Sequence, residues 1–374
     1  MKKSIQVGRV YGISININYT WLIIFGLVVW TLTVGYFPYV TPNLPLSTYL
    51  IMAVISAALL FLSLLAHELA HSVVALRNNL PIRGITLFIF GGVAHMEKEP
   101  DDPKTEFKMA VAGPVCSLVI SFIFWVTTQV LFTLKAPMPV IAVTSYLYIL
   151  NSIVAVFNLV PGFPLDGGRI LRSLLWSHYK EIKKATRIAS NFGKAFAYIL
   201  MAYGILNLFT SSLLTGIWFM FIGMFLFEAA ETSYQQVAIQ KALHGIHVND
   251  IMTRSVVTVD AKTTLDYLID EYFLKYRFTS FPVIANEMLV GLLTLHNVRD
   301  IPKDKWPQTT AEEAMVKLNS AIIISPETEI TYALSKMAAS GIGRLLVVED
   351  HSLIGILSQR DVMRLFEVRE DLER

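Results

Sequence analysis

Long uncharged apolar runs alternate with short polar segments along residues 1–242, and this pattern predicts membrane-spanning helices. A helix needs about 20 apolar residues to cross the hydrocarbon core of a bilayer. The six predicted spans cover residues 19–40, 48–76, 109–134, 140–160, 195–214 and 216–230. We therefore expect a polytopic α-helical membrane domain of about six transmembrane helices.

One polar interruption has a different pattern. Residues 84–95, GITLFIFGGVAH, are rich in β-branched and aromatic side chains around a glycine pair. This composition predicts a short β-hairpin or re-entrant β segment. Such a hairpin could offer an edge to an extended peptide or serve only as a structural connection, and the sequence leaves both interpretations open.

From about residue 248 the pattern changes to short strands and helices, and it repeats with a period of about sixty residues. The segment FPVI followed by GLLTLHN in the first repeat corresponds to LLVV followed by GILSQRD in the second. We predict a membrane domain at residues 1–242 and a soluble α/β domain at 243–374, the latter divided into modules at about 243–303 and 304–368.

Composition and charge agree with this division. Hydrophobic residues make up 54% of the chain and charged residues 16%, against about 25% charged residues in soluble proteins. Residues 1–242 carry a net charge of +7, and residues 243–374 a net charge of −5. Basic residues in the second part are few and unclustered, so we expect no nucleic-acid binding. The single cysteine excludes an intrachain disulfide and a Cys-rich zinc site.

Basic residues also predict an orientation. The predicted outer loops contain one basic residue, Lys135, whereas the other inter-span segments contain many. The positive-inside rule therefore places both termini and the C-terminal domain in the cytoplasm. We find no apolar run typical of a cleavable signal in the first eighteen residues, which favours a prokaryotic cell membrane.

The second predicted span carries His67-Glu68-Leu69-Ala70-His71 near its C-terminal end. Positions i and i+4 share one face of a helix, so both imidazoles can bind one Zn²⁺, with Glu68 beside them as general base for water activated by the metal. Residues 49–66, directly before the motif, carry no charge, whereas the helix of a soluble metalloprotease would be amphipathic. We expect a zinc site in or beside the bilayer.

Asp166 is the candidate third ligand. It follows the fourth span in the stretch NLVPGFPLDGGR, whose prolines and glycines must break the helix. The predicted orientation brings Asp166 and the two histidines to a similar depth. Two histidines and one carboxylate leave a zinc position open for water, as catalysis requires. The alternative role for Asp166 is a helix N-cap before Gly167.

These two motifs, HELAH and Asn158-x-x-Pro161-x-x-Pro164-Leu165-Asp166-Gly167, resemble the site-2 protease family of intramembrane zinc metalloproteases (peptidase family M50). The resemblance implies one zinc ion per chain and cleavage of transmembrane substrates within or near the bilayer. It also implies that Asn158 binds substrate or stabilises the oxyanion, and that the substrate is a membrane-tethered transcription regulator.

The second part resembles a CBS-domain pair, in which a hydroxyl and an acid or amide hold an adenine nucleotide such as ATP or AMP. Carried over to this chain, the candidates are Thr294 and Asn297, then Ser358 and Asp361. The first pair departs from the commoner pattern by having Asn297 in place of aspartate. A hydroxyl before a helix is also an ordinary N-cap, so both roles stay open. Because CBS pairs often associate, the resemblance also implies a homodimer through them.

We predict an intramembrane zinc protease regulated by adenine nucleotide. The alternative is a CBS-regulated membrane transporter or channel, although a transport path needs neither a two-His-one-Asp set nor the adjacent glutamate. A membrane-anchored peptidase with its site outside the lipid is less compatible with the uncharged run before HELAH.

Overall fold

A computed structural model describes residues 4–89, 91–96, 100–210, 213–350 and 352–372. The chain forms two compact units, Met1–Val237 and Ala238–Arg374. Each unit has its own core, and each is described separately below.

Within the described residues, the first unit is built on six helices long and apolar enough to cross a membrane. The first span, Tyr19–Val40, consists of two helical segments joined by a π-helical turn at Leu32–Tyr36. The helices are α1 (Tyr19–Thr31), α2 (Phe37–Val40), α3 (Leu46–Arg77), α4 (Pro103–Thr133), α5 (Met138–Asn158), α6 (Asp166–Tyr179), α7 (Ile182–Thr210) and α8 (Leu213–Leu243). Of these, α6 is the short helix that is not a candidate span. The predicted architecture of six membrane helices is confirmed.

The last two membrane helices are longer than predicted. Helix α7 begins at Ile182, thirteen residues before the predicted start, and α8 continues to Leu243, thirteen residues past the predicted end. The added turns contain charged residues, such as Lys183, Lys184 and Glu231. An apolar run marks only the part of a helix that suits lipid, so it underestimates a helix that continues beyond the hydrocarbon.

A four-stranded sheet completes the first unit. Its strands are β1 (Ser4–Val10), β2 (Ile13–Asn18), β3 (Ile82–Phe88) and β4 (Gly91–Met96), in the order β1-β2-β3-β4. Strands β3 and β4 pair antiparallel, which confirms the predicted hairpin. Strands β2 and β3 pair in parallel, with Ser14 opposite Gly84. The hairpin of β1 and β2 was not predicted, although residues 13–18, ISININ, alternate apolar and polar side chains.

The sheet is joined directly to the membrane helices. Asn18 ends β2 and caps α1, because its side-chain oxygen accepts a hydrogen bond from the backbone N–H of Thr20 at 3.0 Å. Ile13 and Ile85 are buried on the central strands. Among the helices, a separate apolar cluster contains Phe37 and Leu147.

The second unit contains two similar α/β modules, and this confirms the predicted repeat. The first has the sheet β5-β6-β7-β8 and the second the sheet β11-β10-β9. The strands are β5 (Val259–Asp260), β6 (Ser280–Ala285), β7 (Met288–Thr294), β8 (Val316–Lys317), β9 (Ile323–Ile324), β10 (Arg344–Glu349) and β11 (Ser352–Ser358). The helices are α9 (Val248–Ile251), α10 (Leu265–Leu268) continued by a π-helical segment (Ile269–Leu274), α11 (Leu295–Arg299), a 3-10 turn (Lys303–Gln308), α12 (Ala311–Ala314), α13 (Ile330–Ser340) and α14 (Gln359–Leu372).

The main hairpins of the two modules share a detail of register. Val283 pairs with Gly291 in the first module and Val347 with Gly355 in the second, and in both the register shifts directly after that pair. One buried apolar cluster surrounds Phe281 and includes Ala311 from the second repeat, and the other surrounds Leu345 and includes Val248 from the first repeat. Each core therefore also uses a segment from outside its own repeat.

Candidate metal centre

Three side chains from two distant parts of the chain converge in the first unit. His67 and His71 lie one turn apart on α3, and Asp166 is the first residue of α6. The His67 Nε2 and His71 Nε2 atoms are 3.2 Å apart, and Asp166 Oδ2 lies 3.1 Å from the first and 3.2 Å from the second. The structure thus brings together the three predicted ligands as one group that could hold a metal ion.

The triad fits a tetrahedral zinc ion. Zinc bonds of about 2.0–2.1 Å place neighbouring ligand atoms about 3.3 Å apart in a tetrahedron. The three observed separations of 3.1–3.2 Å are close to that edge length. With three protein ligands, the fourth position is left for water or substrate, the pattern of a catalytic rather than a structural zinc site.

Helix α4 holds both imidazole rings in the orientation that zinc binding needs. His71 Nδ1 donates to the carbonyl oxygen of Met109 at 2.6 Å, and His67 Nδ1 lies 2.9 Å from Ser117 Oγ. A carbonyl oxygen can only accept, so the Nδ1 of His71 carries the proton and its Nε2 is free to bind a metal. Without a cation, the 3.2 Å separation of this Nε2 and Asp166 Oδ2 would require an imidazolium that carries a second proton on Nε2.

Glu68 lies between the two histidines on α3 and contacts the β-sheet. A Cβ atom placed on Gly92 of β4 would be 2.5 Å from the Cγ atom of Glu68 and 3.1 Å from its Cδ atom. The glutamate is partly buried rather than enclosed. The edge strand β4 therefore passes directly over the candidate general base.

The loop that delivers Asp166 is packed against α7. The backbone N–H of Phe163 donates to the carbonyl oxygen of Ala189 at 3.3 Å. A Cβ atom on Gly193 would collide with the carbonyl oxygen of Phe163. Glycine in α7 therefore lets the ligand-bearing loop approach the helix backbone, a role that the sequence pattern did not reveal.

Asp166 is not an N-cap. The N-cap residue of α6 is Leu165, and Asp166 occupies the first position of the helix, where its carboxylate meets the two histidines. Asn158 is the last residue of α5 and is partly buried. Within the described residues, no hydrogen bond joins its side chain to the triad, so its predicted part in the site stays a prediction.

A buried ion pair connects α4 with α6. The guanidinium of Arg172 binds the carboxylate of Glu106, with Arg172 Nε at 2.6 Å from Glu106 Oε1. Both side chains are almost fully buried. Glu106 lies one turn before Met109, and Arg172 lies on the helix that begins at Asp166, so the pair ties together two elements of the metal site.

In the second unit, the candidate nucleotide residues form hydrogen-bonded pairs at helix starts. Ser358 Oγ donates to Asp361 Oδ2 at 2.5 Å, and the backbone N–H of Asp361 is 3.3 Å from Ser358 Oγ. Thr294 caps α11 and donates to the side-chain oxygen of Asn297. The capping role is therefore present at both positions, and nucleotide binding stays a prediction.

The membrane helices and the candidate metal centre together define the class of protein. It is a polytopic membrane metallohydrolase joined to two tandem α/β modules. The family model described as Peptidase family M50 matches residues 55–135 and 133–200, and the CBS domain model matches residues 248–304 and 311–368. The chain belongs to peptidase family M50: it is a zinc metalloendopeptidase of the intramembrane, site-2 protease type, and it carries a CBS-domain pair.

Relatives match over nearly the whole chain. Rip3 of Mycobacterium tuberculosis is 33% identical over 370 residues, which cover 98% of this chain and 94% of Rip3. Zinc metalloprotease MJ0392 of Methanocaldococcus jannaschii is 30% identical over 376 residues and all of both chains. The solved structure of the site-2 protease from M. jannaschii is 29% identical and covers 62% of this chain and 95% of that chain, with a TM-score of 0.42. The family model and the two metalloprotease relatives identify an enzyme rather than the transporter alternative.

Proposed function

We propose that this enzyme hydrolyses peptide bonds of transmembrane substrates within or near the bilayer. The observation that carries the proposal is the triad of His67, His71 and Asp166 at the end of an uncharged stretch of α3. A soluble substrate would not reach a site bordered by such a helix as readily as a segment already in the membrane. The membrane-tethered transcription regulator expected for this family fits that substrate class.

Each residue of the site has a distinct role in this proposal. His67 Nε2, His71 Nε2 and Asp166 Oδ2 would hold one zinc ion per chain. When bound, zinc acts as a Lewis acid toward water and the scissile carbonyl. Glu68 takes a proton from the attacking water and passes it to the leaving amine nitrogen as the C–N bond breaks. The amide N–H of Asn158 donates to the oxyanion formed on the carbonyl oxygen.

Strand β4 is suited to present the substrate. It lies at one edge of the sheet, because the strand order places β3 on its other side only. Gly92 of β4 contacts Glu68. An extended substrate segment that pairs with β4 would have its backbone held beside the general base. This favours the peptide-binding interpretation of the predicted hairpin over a purely structural one.

The CBS pair is the proposed regulatory domain. The protease domain corresponds to residues 1–242 and the CBS pair to 243–374, with modules at about 243–303 and 304–368. ATP or AMP would bind where Ser358 and Asp361, and in the other module Thr294 and Asn297, offer hydroxyl, carboxylate and amide groups to phosphate and ribose. Nucleotide binding, and a homodimer formed through the CBS pairs, would change access to the metal site.

Both termini and the CBS pair lie in the cytoplasm in this proposal, because the loops on the opposite side carry a single basic residue, Lys135. Fusion of a reporter that is active only in the cytoplasm tests this orientation. Activity after a C-terminal fusion, and none after insertion at Lys135, is the expected result; the reverse pattern contradicts it.

Zinc content and cleavage of a transmembrane peptide, measured together on the purified full-length chain, test the catalytic proposal. Glu68→Gln should keep its zinc and lose about 10²–10⁴-fold in cleavage rate, because only proton transfer is removed. Asp166→Ala should lose both zinc and activity. Glu228→Gln, an exposed glutamate on α8, is the matched control and should retain both.

Two outcomes would contradict the proposal. Wild-type protein that binds no zinc would remove the metal site itself. A Glu68→Gln variant with normal cleavage would keep the metal site but exclude Glu68 as the general base.

A further inference from the structure

Helix α4 passes so close to the candidate zinc ligands that one of its residues has no room for a side chain. Gly113 is buried, and a Cβ atom placed on it would be 2.6 Å from both His67 Nε2 and His71 Cε1, and closer still to His71 Nε2. Such a Cβ would lie among the nitrogen atoms that are to bind the metal. It would therefore displace a ligand, the metal or the water beside it.

The imidazole rings cannot simply move aside. His71 Nδ1 is bound to the carbonyl oxygen of Met109 and His67 Nδ1 to Ser117 Oγ. Rotation of either ring away from Gly113 would break one of these hydrogen bonds and turn Nε2 away from Asp166. The two Nε2 atoms would then no longer lie about 3.3 Å from the carboxylate oxygen, which is the spacing that a tetrahedral zinc ion requires.

The three α4 residues involved are spaced by four along the chain. Met109, Gly113 and Ser117 lie at positions i, i+4 and i+8, which share one face of a helix. This face supplies a carbonyl acceptor to one histidine, a hydroxyl partner to the other, and an empty position between them. The empty position is Gly113, which allows α4 to approach both histidines closely.

We infer that Gly113 is a positioning residue of the metal site: its missing side chain allows His67, His71 and Asp166 to hold zinc in the arrangement that catalysis needs. The inference rests on the proposed function of the triad. Replacement of a glycine by alanine inside a helix ordinarily stabilises the helix. Here the same replacement should damage the site.

The test compares zinc affinity and thermal stability of the full-length Gly113→Ala variant and the wild type in one detergent. Zinc affinity should fall about tenfold or more, the size of effect seen when groups that orient metal ligands are lost. Gly26→Ala, a helical glycine of α1 with nothing within 4 Å of an added Cβ, is the matched control. It should bind zinc like the wild type.

A double-mutant cycle in metal-free protein separates a clash with the ligands from general misfolding. Gly113→Ala should lower the melting temperature of the wild type but much less that of a His67→Ala/His71→Ala variant, in which the imidazole atoms that the added Cβ would meet are all gone. An equal loss in both backgrounds, or wild-type zinc affinity for Gly113→Ala, would overturn the inference. Failure of the wild type to bind zinc would instead refute the proposed function.

Discussion

Individual residues determine the geometry of the metal centre, and two glycines, which have no Cβ atom, are the most informative of them. Gly113 leaves space beside the histidines, and Gly92 leaves space beside Glu68. The two glycines border different groups, the proposed zinc ligands His67 and His71 in one case and the proposed general base Glu68 in the other. Their substitution should therefore have separable effects.

Gly92→Ala should reduce cleavage strongly while zinc binding stays intact. The added Cβ would lie 2.5 Å from the Cγ atom of Glu68 and push this side chain away from the attacking water. Parallel measurements of zinc content and cleavage rate check this expectation. Gly8→Ala on β1, where nothing lies within 4 Å of the added Cβ, is the control. Zinc loss in Gly92→Ala would show that β4 supports the ligands and not Glu68.

Ser117→Ala should weaken zinc binding by about 10–100-fold, because His67 loses the partner of its Nδ1 and with it a fixed ring orientation. Competition with a zinc chelator of known affinity measures the change. Ser121→Ala, one turn further along α4, removes a hydroxyl bonded to Tyr148 O and Ser152. It controls for the loss of any buried hydrogen bond, and an equal effect of both variants would argue against the role of Ser117.

The sequence indicated only part of this site. His67, Glu68 and His71 are recognisable because their spacing alone places them on one helix face. Asp166 is recognisable from the break in the helix that precedes it. Gly113 and Ser117 are not, since their importance depends on where α4 crosses α3, and no local pattern reports which residues of two helices meet.

A few contacts between secondary-structure elements hold the site in place. Helix α3 carries two of the proposed ligands and the proposed base, α6 carries the third proposed ligand, and α4 lies against both helices. The buried Glu106–Arg172 pair joins α4 to α6, and the loop before α6 is bound to α7 through Ala189. The position of Asp166 therefore depends on α4 and α7 as much as on its own helix.

Arg172→Met should destabilise the protein by about 3–5 kcal/mol, because the buried Glu106 carboxylate would lose its ion pair with the Arg172 guanidinium. The melting temperature of metal-free protein in detergent reports the loss. Combining Arg172→Met with Glu106→Leu should recover much of the stability, since two apolar side chains replace the pair. If the double variant melted no higher than the single one, the pair would not be the main contact between these helices.

At the same scale, the sequence predicted membrane helices better than strands. Apolar runs of the required length mark the six spans, and the β3–β4 hairpin has a glycine pair and β-branched residues on both sides. Strand β2 was missed although residues 13–18, ISININ, alternate apolar and polar side chains as a half-buried strand does. Strand β1 is exposed along its length, and β2 pairs with β3 from a segment about seventy residues later, which no local pattern reports.

For the whole molecule, the CBS pair should add nucleotide sensitivity to a membrane protease. ATP or AMP should raise the melting temperature of the full-length protein. At a ligand concentration one hundred times the dissociation constant, binding increases the free energy of unfolding by about 2.7 kcal/mol. Asp361→Ala should reduce this nucleotide-dependent increase, whereas Asp304→Ala, which changes an exposed residue, should leave it unchanged. An unchanged increase in Asp361→Ala would place the nucleotide elsewhere.

Parallel pairing of β2 with β3 imposes an order on biosynthesis. Strand β2 ends where the first span begins, and only residues 78–81 separate the end of α3 from β3. The two strands can meet only after the chain has crossed the bilayer twice and returned to its starting side. Until then Ser4–Asn18 is an isolated hairpin, which is marginally stable by itself. A nascent chain in which either of the first two spans failed to insert would have β2 and β3 on opposite sides of the membrane, so assembly of the sheet depends on correct threading of both spans.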